Sequence, residues 1–113
     1  MKASYRCDIG LKRASNQDSV LCVNGTLGPV RAFFAVADGM GGGDDGEVAS
    51  AAVIRAVETF CSGNPMPKSG AYSGADIANG VVTAVNSASA WIYNRAKGKG
   101  LKGCGSTFVG VVF

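Results

Sequence analysis

Asp18 and Asp38 are the residues whose type and spacing best suit chemistry in this chain. Each lies in a strand-like run, residues 18–23 and 31–38, rich in Val, Phe, Ala, Leu and Cys. Between the runs stands Asn24-Gly25-Thr26-Leu27-Gly28-Pro29, dense in turn formers, so the segment reads as a β-hairpin. With its loop centred near Gly28, Asp18 falls opposite Asp38, Val20 opposite Val36 and Cys22 opposite Phe34. Directly opposed side chains share a face, with Cβ atoms about 5 Å apart. Two bare carboxylates held that close repel one another, and a bound cation resolves the conflict.

Composition narrows which cation and which chemistry. The chain has no histidine, which excludes Ser-His-Asp triads, Cys-His dyads and histidine-based zinc sites. Carboxylates, arginine, water and oxygen-loving cations are left, and magnesium or manganese suits such ligands. Cys7, Cys22, Cys61 and Cys104 form no Cys-x-x-Cys pair and are expected to be buried, reduced thiols. The net charge of +3 is concentrated at Arg95, Lys97, Lys99 and Lys102, in and beside a Gly-rich stretch. No aromatic residue interleaves with these lysines, so solvated side chains on a connector are expected and no nucleic-acid partner. No apolar run approaches the roughly 20 residues of a membrane span, and no signal-peptide core follows Met1. The expectation is a cytoplasmic protein without membrane attachment.

The remaining segments must position the two carboxylates. Residues 4–9 read as a short strand and residues 10–17 as a basic connection. After the glycines at 39–43, residues 46–61 show helical periodicity, with Ala49, Val53, Ala56, Val57 and Phe60 on one stripe. Asp44, Asp45 and Glu47 stand at its start, where acidic residues complement the helix dipole. Residues 62–67, with two prolines, stop this helix. A second helix starts at the capping signature Ser73-x-x-Asp76 and runs to about Ala96. Its stripe is Ile77, Val81, Ala84, Val85, Ala88 and Ile92, whose small members predict close packing on a neighbouring helix. Residues 107–113 form an unbroken apolar run and are expected to be a buried strand.

Both faces of the hairpin are apolar, so the sheet is expected to be covered on both sides, by helices and by a second sheet. The fold class is therefore α+β, a layered sandwich. The chain stops at Phe113 inside a strand. Residues 1–113 are thus expected to be part of a single domain, truncated within that strand.

The pattern Arg13-x-x-Asn16-Gln17-Asp18-Ser19 is followed by Phe34-Ala35-Val36-Ala37-Asp38-Gly39-Met40-Gly41-Gly42, Gly46-Glu47-Val48-Ala49-Ser50 and Gly103-Cys104-Gly105-Ser106-Thr107. In order and content these segments resemble the N-terminal half of the bacterial metal-dependent protein phosphatases (PPM, or type 2C). The resemblance implies a four-layer α-β-β-α sandwich with two divalent cations, Mn²⁺ or Mg²⁺, between the sheets. By position Asp38 would be the catalytic ligand shared by both metals. The Gly39 carbonyl would bind one metal, Asp18 would serve the other side of the site, and Arg13 would hold the substrate phosphate. The implied activity is hydrolysis of phosphoserine and phosphothreonine in protein substrates by a metal-activated water. A cognate serine/threonine kinase is the implied partner.

Three departures qualify the carry-over. Gln17 stands where some members carry glutamate, and Met40 where animal members carry histidine. The family's later metal-binding aspartates would lie beyond Phe113. Asp18 and Asp38 cannot by themselves fill two cations that each want about six oxygen ligands. The chain is accordingly expected to be inactive alone, and a non-catalytic phosphatase-like binding module is the alternative reading. Two other patterns fit less well. Gly41-x-Gly43-x-x-Gly46 has a dinucleotide-site spacing but places aspartates where a pyrophosphate would sit. Cys7 and Arg13 have the spacing of cysteine phosphatases, but Asp8 would oppose the phosphate, and Cys7 is expected to be a buried strand residue.

Overall fold

The structure, a computed structural model, describes residues 4–11, 16–27, 30–63 and 73–113. Its elements in chain order are β1 (Asp18–Leu27), β2 (Val30–Met40), α1 (Asp45–Gly63), α2 (Gly74–Gly98), β3 (Gly105–Ser106) and β4 (Val109–Val112). Strands β1 and β2 form the expected antiparallel hairpin, with Asp18 opposite Asp38, Val20 opposite Val36 and Cys22 opposite Phe34. The register shifts between Asn24 and Leu27, and both strands run beyond the span their apolar residues suggest, β2 as far as Gly39 and Met40 where it pairs with β3.

Strand β2 is the spine of the sheet. One edge carries β1, and the other is shared by β3, at Gly39 and Met40, and β4, at residues 33–36. The odd-numbered hairpin residues Leu21, Phe33, Ala35 and Ala37 are buried under the helices with Ile54, Val57 and Cys61. Fully burying a side chain such as Phe33 contributes about 1.5–3 kcal/mol. Helix α2 adds Ala88 and Ile92 to a second cluster with Ala49 and Val53. The two helices come close, because the Phe60 ring occupies the space where a side chain on Gly80 would be. Helix α2 begins as expected, since the Ser73 hydroxyl accepts the Asp76 N–H while the Asp76 carboxylate accepts the Ser73 N–H.

Three expectations need correction. Among the described residues no second sheet covers the even-numbered face of the hairpin: Val36 is 54% exposed, and Val109, Val111 and Phe113 beside it are 73%, 52% and 58% exposed. Strand β4 is therefore an edge strand with a bare outer side, not a buried one. The described residues supply one sheet and the helical layer on one of its sides, which is part of the layered sandwich. Residues 4–9 form no strand and are exposed, joining neither open edge of the described sheet, and Arg6 and Asp8 pair with each other. Cys7 is consequently exposed, accepting a hydrogen bond from the Asn16 amide at 3.0 Å, whereas Cys61 is fully buried. Burial, with a smaller contribution from Glu58, pushes the Cys61 thiol pKa up. All four cysteines are free thiols.

Candidate functional site

Asp18 opens β1 and Asp38 lies three residues before the end of β2 counted inclusively, so the pair sits at the end of the hairpin away from its turn. Their even parity puts both carboxylates on the bare outer face, and both residues are exposed. Among the described residues neither carboxylate has a cationic partner. The structure thus brings together two of the residues singled out by sequence. Arg13 lies outside the described residues.

Asp38 is held by its backbone. Its N–H donates to Thr107 Oγ1 at 3.0 Å, and its carbonyl accepts the Thr107 N–H at 2.8 Å. Ser106 Oγ also donates to the Asp38 carbonyl, at 3.4 Å. The contact falls in the gap between β3 and β4, where the threonine hydroxyl takes a donor that a continuous ladder would otherwise satisfy.

Gly39 continues the strand under tight constraint. Its N–H donates to the Gln17 carbonyl at 3.0 Å, and a Cβ at this position would collide with the backbone carbonyl of Gly46. Glycine is required here because the start of α1 packs directly on β2. Gln17 completes the junction: its side-chain amide donates to the carbonyls of Gly41 and Gly43, at 3.0 and 3.3 Å. Gly46 leaves the room that this amide fills. Gln17 therefore braces the turn that follows Asp38, a role that its position beside Asp18 in sequence does not announce.

The acidic start of α1 also departs from expectation. Asp45 is buried and engaged in more than the helix dipole, with Lys99 Nζ at 3.2 Å and an Arg95 nitrogen at 3.7 Å. The Cys104 thiol donates to the Asp45 carbonyl at 3.6 Å. Two of the basic residues expected to be solvated are thus tied to the start of the site's supporting helix. Arg95 further lies 5.8 Å from the centroid of the Trp91 ring, a cation–π distance. Ser19 and Ser50 hydroxyls, 2.9 Å apart, join β1 to α1 below the carboxylate pair.

Unpaired carboxylates and backbone carbonyls are the donor types that hard divalent cations take, so the residues present fit such ions in kind. In number they furnish part of a coordination shell. Among the described residues no cluster of three or more His, Cys, Asp or Glu side chains stands ready to hold a metal. None of the described helices is long and apolar enough to cross a membrane.

No family model matches the chain, and a search of curated proteins finds no match. Solved structures do match. The Mycobacterium tuberculosis serine/threonine phosphatase PstP/Ppp is 34% identical, with a TM-score of 0.71 over 96% of this chain and 40% of its own. The catalytic domain of PstP in complex with two manganese ions is 34% identical, with a TM-score of 0.72 over 96% and 41%. The S. agalactiae serine/threonine phosphatase, 22% identical, shares the fold with a TM-score of 0.79 over 96% and 42%. The chain spans about two fifths of the length of these proteins. Over that part the chain is similar in fold, and at 34% identity in sequence, to the N-terminal portion of PPM-type serine/threonine phosphatases.

Proposed function

We propose that the chain is the N-terminal portion of a metal-dependent serine/threonine phosphoprotein phosphatase, acting in the cytoplasm. The observation that carries this reading is the cross-strand pairing of Asp18 with Asp38 on an open face, without a described cationic partner. Asp38 would serve two divalent cations, manganese or magnesium, with Asp18 and the Gly39 carbonyl as further ligands. When bound, such ions lower the pKa of a shared water and polarise the phosphoryl group. The chain's own share is to fix these oxygens in space. Asp38 is held through Thr107 and Gly39 through Gln17, so that little reorganisation accompanies binding. Arg13 would orient the phosphate, for which a planar guanidinium offers two parallel hydrogen bonds. Phosphoserine and phosphothreonine proteins are the substrates of this reading, and a serine/threonine kinase is the opposing partner.

In this reading residues 1–113 are inactive alone, because Asp18, Asp38 and Gly39 leave most positions around two cations unfilled. The test uses a protein carrying these residues together with the rest of a phosphatase domain. Hydrolysis of p-nitrophenyl phosphate should require manganese or magnesium and fall at least about 100-fold in Asp38→Asn, in line with losses on removing a group that stabilises the transition state. Activity that survives both chelation and Asp38→Asn would rule the proposal out.

A further inference from the structure

We infer that Thr107 is a positioning residue for Asp38, acting through its hydroxyl. This inference rests on the proposal that Asp38 binds a cation. Both main-chain polar groups of Asp38 bond to this single residue, 69 positions later in the chain. The N–H goes to the hydroxyl and the carbonyl to the Thr107 N–H. A continuous strand would hold Asp38 through backbone alone, and every side chain would then be tolerated opposite it. Here β3 ends at Ser106 and β4 begins at Val109, so the acceptor for the Asp38 N–H is a side-chain oxygen. A side chain at this position without that oxygen leaves the donor without its partner.

The arrangement has a direct consequence for the carboxylate. Asp38 is exposed on the bare face, and no described side chain packs its carboxylate in place through an ion pair. Its direction is therefore set from below, by the orientation of its own backbone. Ser106 reinforces the grip, since its hydroxyl reaches both the Asp38 carbonyl at 3.4 Å and the Thr107 carbonyl at 2.8 Å. The β3–β4 segment thus acts as a clamp on the one residue that two cations would share.

Thr107→Val removes the hydroxyl and keeps the branched shape, and Thr107→Ser restores the hydroxyl without the methyl. Amide hydrogen exchange of the 113-residue chain reads the clamp, and manganese titration followed by paramagnetic line broadening reads its effect on the cation site. Thr107→Val should speed exchange at Asp38 about tenfold, the equivalent of one ordinary hydrogen bond, and weaken manganese binding by a similar factor. Thr107→Ser should return both towards the unsubstituted chain. Unchanged exchange at Asp38 in Thr107→Val would overturn the clamp whatever the metal does. Faster exchange with unaltered manganese affinity would overturn the positioning role and leave Thr107 a purely structural residue. If the unsubstituted chain and a complete phosphatase domain both bind no manganese, the cation reading of Asp38 falls, and the positioning role falls with it.

Discussion

Lys99, just past the end of α2, places its ammonium 3.2 Å from the carboxylate of Asp45, the first residue of α1. Arg95, one turn earlier, approaches the same carboxylate oxygen at 3.7 Å. The pair closes the two helices into a loop at the end nearest Asp38. Asp45 keeps 11% of its side-chain exposure, so its charge is largely withdrawn from water and relies on these partners.

Replacing Asp45 by alanine should therefore destabilise the chain by about 1–3 kcal/mol, because Arg95 loses its counter-ion while its buried Nε already has no hydrogen-bond partner among the described residues. Lys99→Met removes only a half-exposed partner and should cost less than about 1 kcal/mol. Urea denaturation of the two variants checks the order. Equal losses, or a larger loss for Lys99→Met, would show that Asp45 is not the centre of the network.

Gly39→Ala should be far more damaging than an ordinary glycine replacement in a strand. The new methyl would meet the Gly46 carbonyl and lie 2.9 Å from the Gln17 carbonyl, and both are backbone that cannot swing aside. Overpacking of this kind costs typically 1–3 kcal/mol and more when the backbone must move. Gly63→Ala, where a Cβ meets none of the described residues, is the control and should leave the melting temperature within a few degrees. Comparable melting curves for the two variants would contradict the close approach of α1 to β2.

The start of α2 should respond to acid. The Ser73 hydroxyl and Ser73 N–H both donate to the Asp76 carboxylate, at 2.8 and 3.0 Å, and hold its pKa below the ordinary range. The stabilisation is complete above the unfolded carboxylate's pKa, about 4, and is lost as pH falls through the lower folded value. Helical circular dichroism of the chain should therefore fall on acidification below about pH 4. The fall should be smaller in Ser73→Ala, which lacks one donor to the carboxylate from the outset. Identical acid profiles would show that the capping box does not contribute.

The hairpin register was legible in the residues because alternation and turn chemistry act locally: parity about Gly28 is enough to set Asp18 opposite Asp38. Helix α2 was legible for the same reason, through Ser73 and Asp76. What sequence could not show is who meets whom across long separations. The alternating residues near Cys7 suit a strand, but alternation does not say which edge a strand joins, and among the described residues these join none. The apolar even face of β2 and β4 signals a surface suited to burial without showing whether anything in these 113 residues covers it. Thr107 and Gln17 went unassigned because a hydroxyl filling a gap in a ladder, or an amide bracing a turn, leaves no periodic trace. The order of the glycine motifs was the one long-range signal available, and it carried the resemblance to the phosphatases without revealing these contacts.

The divided edge of β2 also sets an order of events in folding. Asp18 and Asp38 meet through a hairpin that closes over a short stretch, whereas Thr107 reaches Asp38 from 69 residues away. Closing the longer loop costs more entropy, and non-local strand pairings form more slowly. During synthesis the two carboxylates can be neighbours before the segment that aims them has left the ribosome. The orientation of Asp38 would then be fixed late, when the segment carrying Thr107 docks, and not when the hairpin closes.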